Sequence, residues 1–332
     1  MAHEFESGFM VGEPAWHGLG NLIPKDKRLS VKEAIEAAGL TWEVGLLPLQ
    51  IANNAETTKL GLANNPVRAN CVYRKTDNSL LGVVGPGYTP YQNWELFDWF
   101  APFIDAGTAE FHTAGSLKDG KVVWALASLQ RKEMEIAKGD MVKKFLLLSN
   151  SHDGTHAIRV GFTPIRVVCA NTLAAAFSSA DSNLIRAKHR KNVAVSMDKI
   201  RETINVVDAK FEATAEQYRF LANHHFNRAD LEKYVAVVWR QGKADQEKEL
   251  STRSKNQLSE VFRLLDEGHG HDIPSIQGTW WQAYNAVAEY LSYESGSRSK
   301  ENRMQSLWFG AGMVKNQYAL HAAMKMAEGL AV

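Results

Sequence analysis

An α+β fold is what this sequence predicts, with an antiparallel meander sheet backed by a long helix and followed by a helical C-terminal region. Three observations carry the prediction. Hairpin signals recur through the first half at Asp119 and Gly120, Gly139 and Asp140, and Asp153 and Gly154, each between apolar runs of strand length. Apolar residues then recur every four and three positions from Val193 through Met197, Ile200, Ile204, Val207, Phe211, Thr214 and Tyr218 to Leu221. That spacing is a long helix with a seven-residue repeat. The composition also shifts near residue 182, so the expected units are a sheet-rich α+β part at 1–182 and a helical part at 183–332.

Taken in order, the chain opens with an arm whose bend carries Trp16, His17, Gly18, Leu19 and Gly20. Ser30 and Glu33 have the spacing of a capping box, with Ala34, Ile35 and Ala38 behind them and Gly39 as a stop. Strands follow at Trp42 to Ile51, Val67 to Arg74 and Leu80 to Val84, the last two joined by a turn at Asp77 and Asn78. Asn93 is placed to cap a helix carrying Leu96, Phe97, Phe100 and Phe103, which Pro102 should kink or end.

The sheet resumes with Ala109 to Leu117, Lys121 to Leu129, Met134 to Ile136 and Met141 to Leu148, and returns through Ile158, Val160 and Phe162. Two-residue connections join only antiparallel neighbours, so this is a meander. Asp153 and Gly154 supply positive φ for a tight final hairpin. Beyond Arg166, Asn171 is placed to cap a helix over Leu173 to Phe177. After the long helix, further helices are expected at Asp230 to Gln241, Ser251 to Glu267, Thr279 to Ser292 and a last one ending near Glu328.

The formal charge is +1, so no whole-protein field draws the molecule to nucleic acid or membrane, and any electrostatic footprint is local. The two cysteines, Cys71 and Cys169, sit in apolar runs and read as free thiols of a reducing cytoplasm. No signal-length or membrane-length apolar stretch occurs, which excludes export and membrane spanning as expectations.

Chemistry concentrates in two places. Arg186, Lys188, His189, Arg190 and Lys191 form a basic knot just before the long helix, whose positive dipole end and free N–H groups favour a phosphate. Arg159 and Arg166 on the preceding strand extend the patch. Clustered cations with nearby rings suit single-stranded DNA, held by its phosphates in a salt-dependent way. The rival chemistry is a metal-dependent hydrolase built on His152, Asp153 and His156 or on His269, His271 and Asp272. Its spacing is weak, because Asp153 and Gly154 already have a turn role. The seven-residue seam reads first as a helix lying on its own domain and second as a surface for self-association or a host-protein partner. Gly310 and Gly312 complete no dinucleotide or phosphate-loop fingerprint, no nucleophile elbow is present, and no cofactor is expected. The pair Trp280 and Trp281 reads as helix packing.

One resemblance follows from these residues. The opening Trp16, His17, Gly18 and Gly20, the centre Ser151 to Thr155 with Arg166, Val167, Cys169, Ala170, Asn171, Thr172 and Leu173, and the ending Phe309, Gly310 and Gly312 resemble the phage/plasmid-like proteins grouped as domain of unknown function 932. The likeness covers nearly the whole length, and its most specific part is the run from Arg166 to Leu173. It implies a bacteriophage, prophage or plasmid setting inside a bacterial host cell, and it implies no catalytic residue. More loosely, the order of hairpins and long helix is similar to phage single-strand annealing proteins. There an antiparallel sheet backed by a long helix forms oligomeric rings with DNA in a basic groove.

Overall fold

The computed structural model of the chain describes residues 5–12, 20–166, 184–240, 252–295, 306–307 and 310–330, without the side chains at 130–132, 166, 184, 203–211, 240 and 253–254. The expected helix over Leu173 to Phe177, the cap at Asn171, Cys169 and the bend at Trp16 to Leu19 lie outside the described residues. The fold is α+β, as the pattern predicts.

Seven strands form the main sheet: β1 (Phe5–Val11), β2 (Asn21–Ile23), β6 (Ala109–Leu117), β7 (Val122–Ala137), β8 (Asp140–Ser151), β9 (Ile158–Arg166) and β10 (Leu184–Ala187). Their order is β10-β9-β8-β7-β6-β1-β2. All neighbours are antiparallel except β1 and β2. The meander is therefore present, and three strands the pattern did not reveal extend it, β1 and β2 at one edge and β10 at the other. The stretches at Lys121 to Leu129 and Met134 to Ile136 are one strand, β7, with an irregular register between Ser128 and Glu133. A second sheet of three strands comprises β3 (Val44–Gln50), β4 (Pro66–Arg74) and β5 (Leu80–Val84).

The β8–β9 connection departs from the expected tight hairpin. Strand β8 ends at Ser151 and β9 begins at Ile158. Only Gly154 takes positive φ, at 74°. The carboxylate of Asp153 explains the difference. It accepts from Thr155 N (2.9 Å), Thr155 Oγ1 (2.6 Å) and Ser151 Oγ, which folds a wider polar turn around the side chain instead of across the backbone. That turn is pressed onto the small sheet. A Cβ on Gly82 would stand 2.6 Å from Asp153 Cα, so β5 needs glycine at that point.

Three short helices lie on the main sheet, α1 (Val31–Ala37), α3 (Asn93–Asp98) and α4 (Ala101–Asp105), while α2 (Ala55–Lys59) is an exposed turn of helix between β3 and β4. The Ser30 and Glu33 capping box is formed as the spacing predicts. The cap of α3 is Gln92, not Asn93. Asn93 is buried and its amide works sideways, donating to Trp42 O at 3.1 Å. Pro102 falls in the first turn of α4, where a missing N–H costs nothing. Phe97 packs tilted and Phe100 edge-on against Phe111 of β6, at 5.6 and 5.4 Å between ring centres, fixing these helices on the sheet.

The long helix is α5 (Val193–Ala222), followed by α6 (Arg228–Arg240), α7 (Thr252–Glu267), α8 (Trp280–Glu289) and α9 (Ala311–Ala327). A π-turn at Tyr290–Glu294 continues α8. The described seam residues Val193, Met197, Ile200, Thr214, Tyr218 and Leu221 are buried against the same chain. Near its start, Met197 O accepts from Trp99 Nε1 (2.9 Å), and near its end the Tyr218 ring lies 4.7 Å from Trp281. So the first and last turns of the seam pack on the protein's own sheet layer and helical region. Burial of rings this large is worth about 2 to 3 kcal/mol each. The hydrophobic core is one continuous cluster spanning both regions. Among the described residues, no helix is long and apolar enough to cross a membrane.

Candidate nucleic-acid interface

The basic residues are placed by sheet register. Strand β10 pairs with β9 so that Arg186 stands opposite Arg159, and β8 pairs with β9 so that Ser149 stands opposite Arg159. Ser149, Arg159 and Arg186 therefore form one row on one face, grading from fully buried at Ser149 to exposed at Arg186. The alternate positions Ile158, Val160 and Phe162 are buried on the other side, as strand alternation requires. Burial, and next the neighbouring charge of Arg186, lower the pKa of Arg159, yet a guanidinium stays charged at neutral pH.

From Ala187 the chain runs through the basic loop to α5. Lys188, Arg190 and Lys191 are exposed, while His189 between them is buried. His189 pins the loop: Thr89 N donates to His189 O (3.1 Å), His189 Nδ1 lies 3.2 Å from Thr89 O, and the ring stacks on Tyr88 at 4.5 Å. Tyr88 in turn donates to Ser151 O at 3.0 Å. Loop, pin and β8 terminus thus form one connected unit.

Among the described residues, Arg186, Lys188, Arg190 and Lys191 have no carboxylate partner. Elsewhere Arg28, Arg74, Arg219 and Arg263 each hold one. Arg166 is at the far end of β9, opposite Val142, and its side chain lies outside the described residues. It is seven positions from Arg159, so alternation puts the two strand positions on opposite faces. Five of the six basic positions are brought together; the sixth is not.

The first histidine group joins the same end of the sheet. His156 lies between Ser149 Oγ (3.4 Å) and Thr155 Oγ1 (3.3 Å). Burial lowers its pKa to about 4, aided by the charge of Arg159 and opposed by Asp153. Burial likewise brings His189 to about 4 and His152 to about 3. His152 Nε2 lies 2.9 Å from Asn93 Oδ1, which must be the accepting end because the Asn93 amide donates to Trp42. These rings are neutral at pH 7. Burial raises the Asp153 carboxyl, but its hydrogen bonds from Ser151 and Thr155 outweigh this and the net shift is downward.

The second group is elsewhere, around Glu289 of α8. His269 Nδ1 is 2.9 Å and His269 N 3.1 Å from Glu289 Oε1. His271 Nε2 is 3.3 Å from Oε2, close enough to act by charge though not aligned as a hydrogen bond. Burial pushes this carboxyl up, while His271 and His269 pull it down further, leaving it below the usual range. Asp272 is exposed. Among the described residues, no group of three or more His, Cys, Asp or Glu side chains has the arrangement to hold a metal ion.

The residues the sequence did not single out are Ser149 and Tyr88, and Asn93, expected as a helix cap, instead joins Trp42 and His152. His189 carried a signal, being the lone ring within a run of cations. No curated protein and no solved structure matches the chain. A family model described as domain of unknown function (DUF932) matches residues 80–308, from β5 to beyond α8, and so takes in both histidine groups and the whole basic face. With that match over more than half its length, the chain belongs to the DUF932 family.

Proposed function

We propose that the chain is a non-enzymatic nucleic-acid-binding protein of a phage or plasmid that holds single-stranded DNA by its phosphates during recombination or replication. The supporting observation is the gathering of Arg159, Arg186, Lys188, Arg190 and Lys191 at one end of the sheet, four of them without a carboxylate partner among the described residues. Like charges placed side by side repel. In a chain of net charge +1 with acids in near-equal number, leaving Arg186, Lys188, Arg190 and Lys191 without a carboxylate is a cost that a polyanion would remove.

The test is fluorescence anisotropy with a labelled single strand and the matching duplex across a salt series. Five phosphate contacts give a slope of roughly −3.5 in log affinity against log salt, about a hundredfold between about 50 and 200 mM. Replacing Lys188, Arg190 and Lys191 together by alanine should reduce that slope by about 2. Binding that is insensitive to salt, or unchanged in the triple variant, overturns the assignment.

A further inference from the structure

The β6–β7 turn lies at the same end of the sheet and has no part in the site as described so far. Three consecutive residues there are left-handed: Lys118 (φ 55°), Asp119 (φ 56°) and Gly120 (φ 84°). Glycine takes this conformation freely, whereas lysine does so at a cost of about 1 kcal/mol or more. The surroundings hold the turn in place. Arg74 Nη2 donates to Asp119 O at 2.8 Å, and a Cβ on Gly120 would meet Arg74 Nη2 at 2.3 Å and Trp42 at 3.1 Å. The turn is also joined directly to the β8–β9 connection, since His152 N donates to Lys121 O at 2.7 Å. Lys118 and Lys121 are half-buried, and neither has a carboxylate partner among the described residues. The charge of Lys118 reaches His156, so it lies near the Ser149, Arg159 and Arg186 row. Asp119 is the exposed acid of the turn, and Asp153 is engaged by Ser151 and Thr155.

Strand order gives the scale. From β10 to β6 there are four steps of about 4.8 Å, or ~19 Å, across the end of the sheet. The basic loop lies at one side of that span and Lys118 with Lys121 at the other.

We propose that Lys118 and Lys121 form the second half of the phosphate-contacting surface. A single strand would then cross the end of the sheet from the Lys188 to Lys191 loop, over Arg159 and the β8–β9 turn, to the β6–β7 turn. The inference rests on the function proposed above and adds its footprint and direction. The strained turn presents a cation where an unstrained residue would serve the fold better.

Lys118→Asn separates the two roles, because asparagine tolerates the left-handed conformation. The experiment uses the full chain, an oligothymidylate of about fifteen nucleotides and the same salt series. The expected result for Lys118→Asn is an equal or higher melting temperature, with affinity weaker by roughly fivefold at low salt and the slope reduced by about 0.7. Lys121→Ala should lower the slope by a similar amount, and the double variant by about 1.4. Lys75→Ala, a cation paired with Glu43 at 2.7 Å, is the control and should leave the slope unchanged.

A double variant that binds with the wild-type slope overturns this inference while leaving the basic loop standing. If the double variant loses slope and the Lys188, Arg190 and Lys191 variant does not, Lys118 and Lys121 stand as phosphate contacts, and the loop assignment and the strand path from it are overturned. A wild-type chain that binds no strand at low salt removes both.

Discussion

Two loops of this protein carry nearly the same residue types and use them in opposite ways. The β8–β9 turn holds His152, Asp153 and His156; the loop after α7 holds His269, His271 and Asp272. Around Glu289 the imidazoles gather on a buried carboxylate, so the loop is tied to α8 through that one side chain. At the β8–β9 turn the acid is turned inward to its own Ser151 and Thr155, and burial keeps the rings neutral beside the charges of Arg159 and Lys118. What decides the role is where the carboxylate goes. A loop whose histidines meet the carboxylate of a neighbouring helix is fastened to that helix, and one whose acid is held by its own hydroxyls leaves its histidines without a carboxylate.

The contrast breaks most readily at Glu289. Glu289→Ala removes the acceptor of His269 Nδ1 and His269 N, takes the carboxylate from beside the buried His271 ring and leaves a cavity in α8, and should cost about 3 kcal/mol. Urea denaturation measures it, and a loss under about 1 kcal/mol means the fastening is decorative.

Next in size is acid. His152, with a pKa near 3, and His156 and His189, near 4, all lie below the ordinary 6.5. Between those values the unfolded chain binds more protons, so the stability tied to each ring is complete above pH 6.5 and is lost as pH falls. At pH 5 the loss is on the order of 2 kcal/mol for a fully buried ring. The lowered Glu289 works in a different window, its contribution being complete above about 4.5 and lost only below. Hydrogen exchange at pH 5 against pH 7, corrected for intrinsic rates, should therefore show residues 151–158 loosening while 268–271 keep their protection. Equal protection changes in the two loops would erase the distinction.

The smallest effect separates the two aspartates. Asp153→Ala should cost about 1 to 2 kcal/mol by releasing Ser151 and Thr155, whereas Asp272→Ala, at an exposed site, should stay within about 0.5 kcal/mol. Thermal melts of the two variants side by side are enough, and equal losses would count against the inward-turned acid.

Much of the fold was legible because local signals agreed with the tertiary result. The meander, the capping box at Ser30 and the long helix at Val193–Ala222 all follow from turn residues and apolar spacing. What escaped was decided by distant partners. Strand β1 pairs with β6 roughly a hundred positions away, and β2 is too short to show a period. Asn93 has the chemistry of a cap, but the Trp42 carbonyl and His152 compete for its amide more effectively. For the site, the cations of the knot were visible as a run, and their union with the His156 turn was not. That union depends on a register in which Arg186 meets Arg159, and no local pattern encodes it.

The far tip of the β7–β8 hairpin has a different consequence. It leaves the sheet and enters the helical region, where Asp140 Oδ2 accepts from Trp281 Nε1 (2.8 Å), Lys138 O from Ser275 Oγ (2.8 Å) and Glu135 O from Arg219 Nε (3.1 Å). It acts as a tenon in a mortise. Strand β10 and α5 cross the joint in the other direction, since both begin beyond residue 183 and pack on strands that precede it. A chain severed near that point would yield two fragments, each with the raw face of a joint exposed. Neither would be a domain in its own right, and recovery of the protein would require the two to be folded in each other's presence.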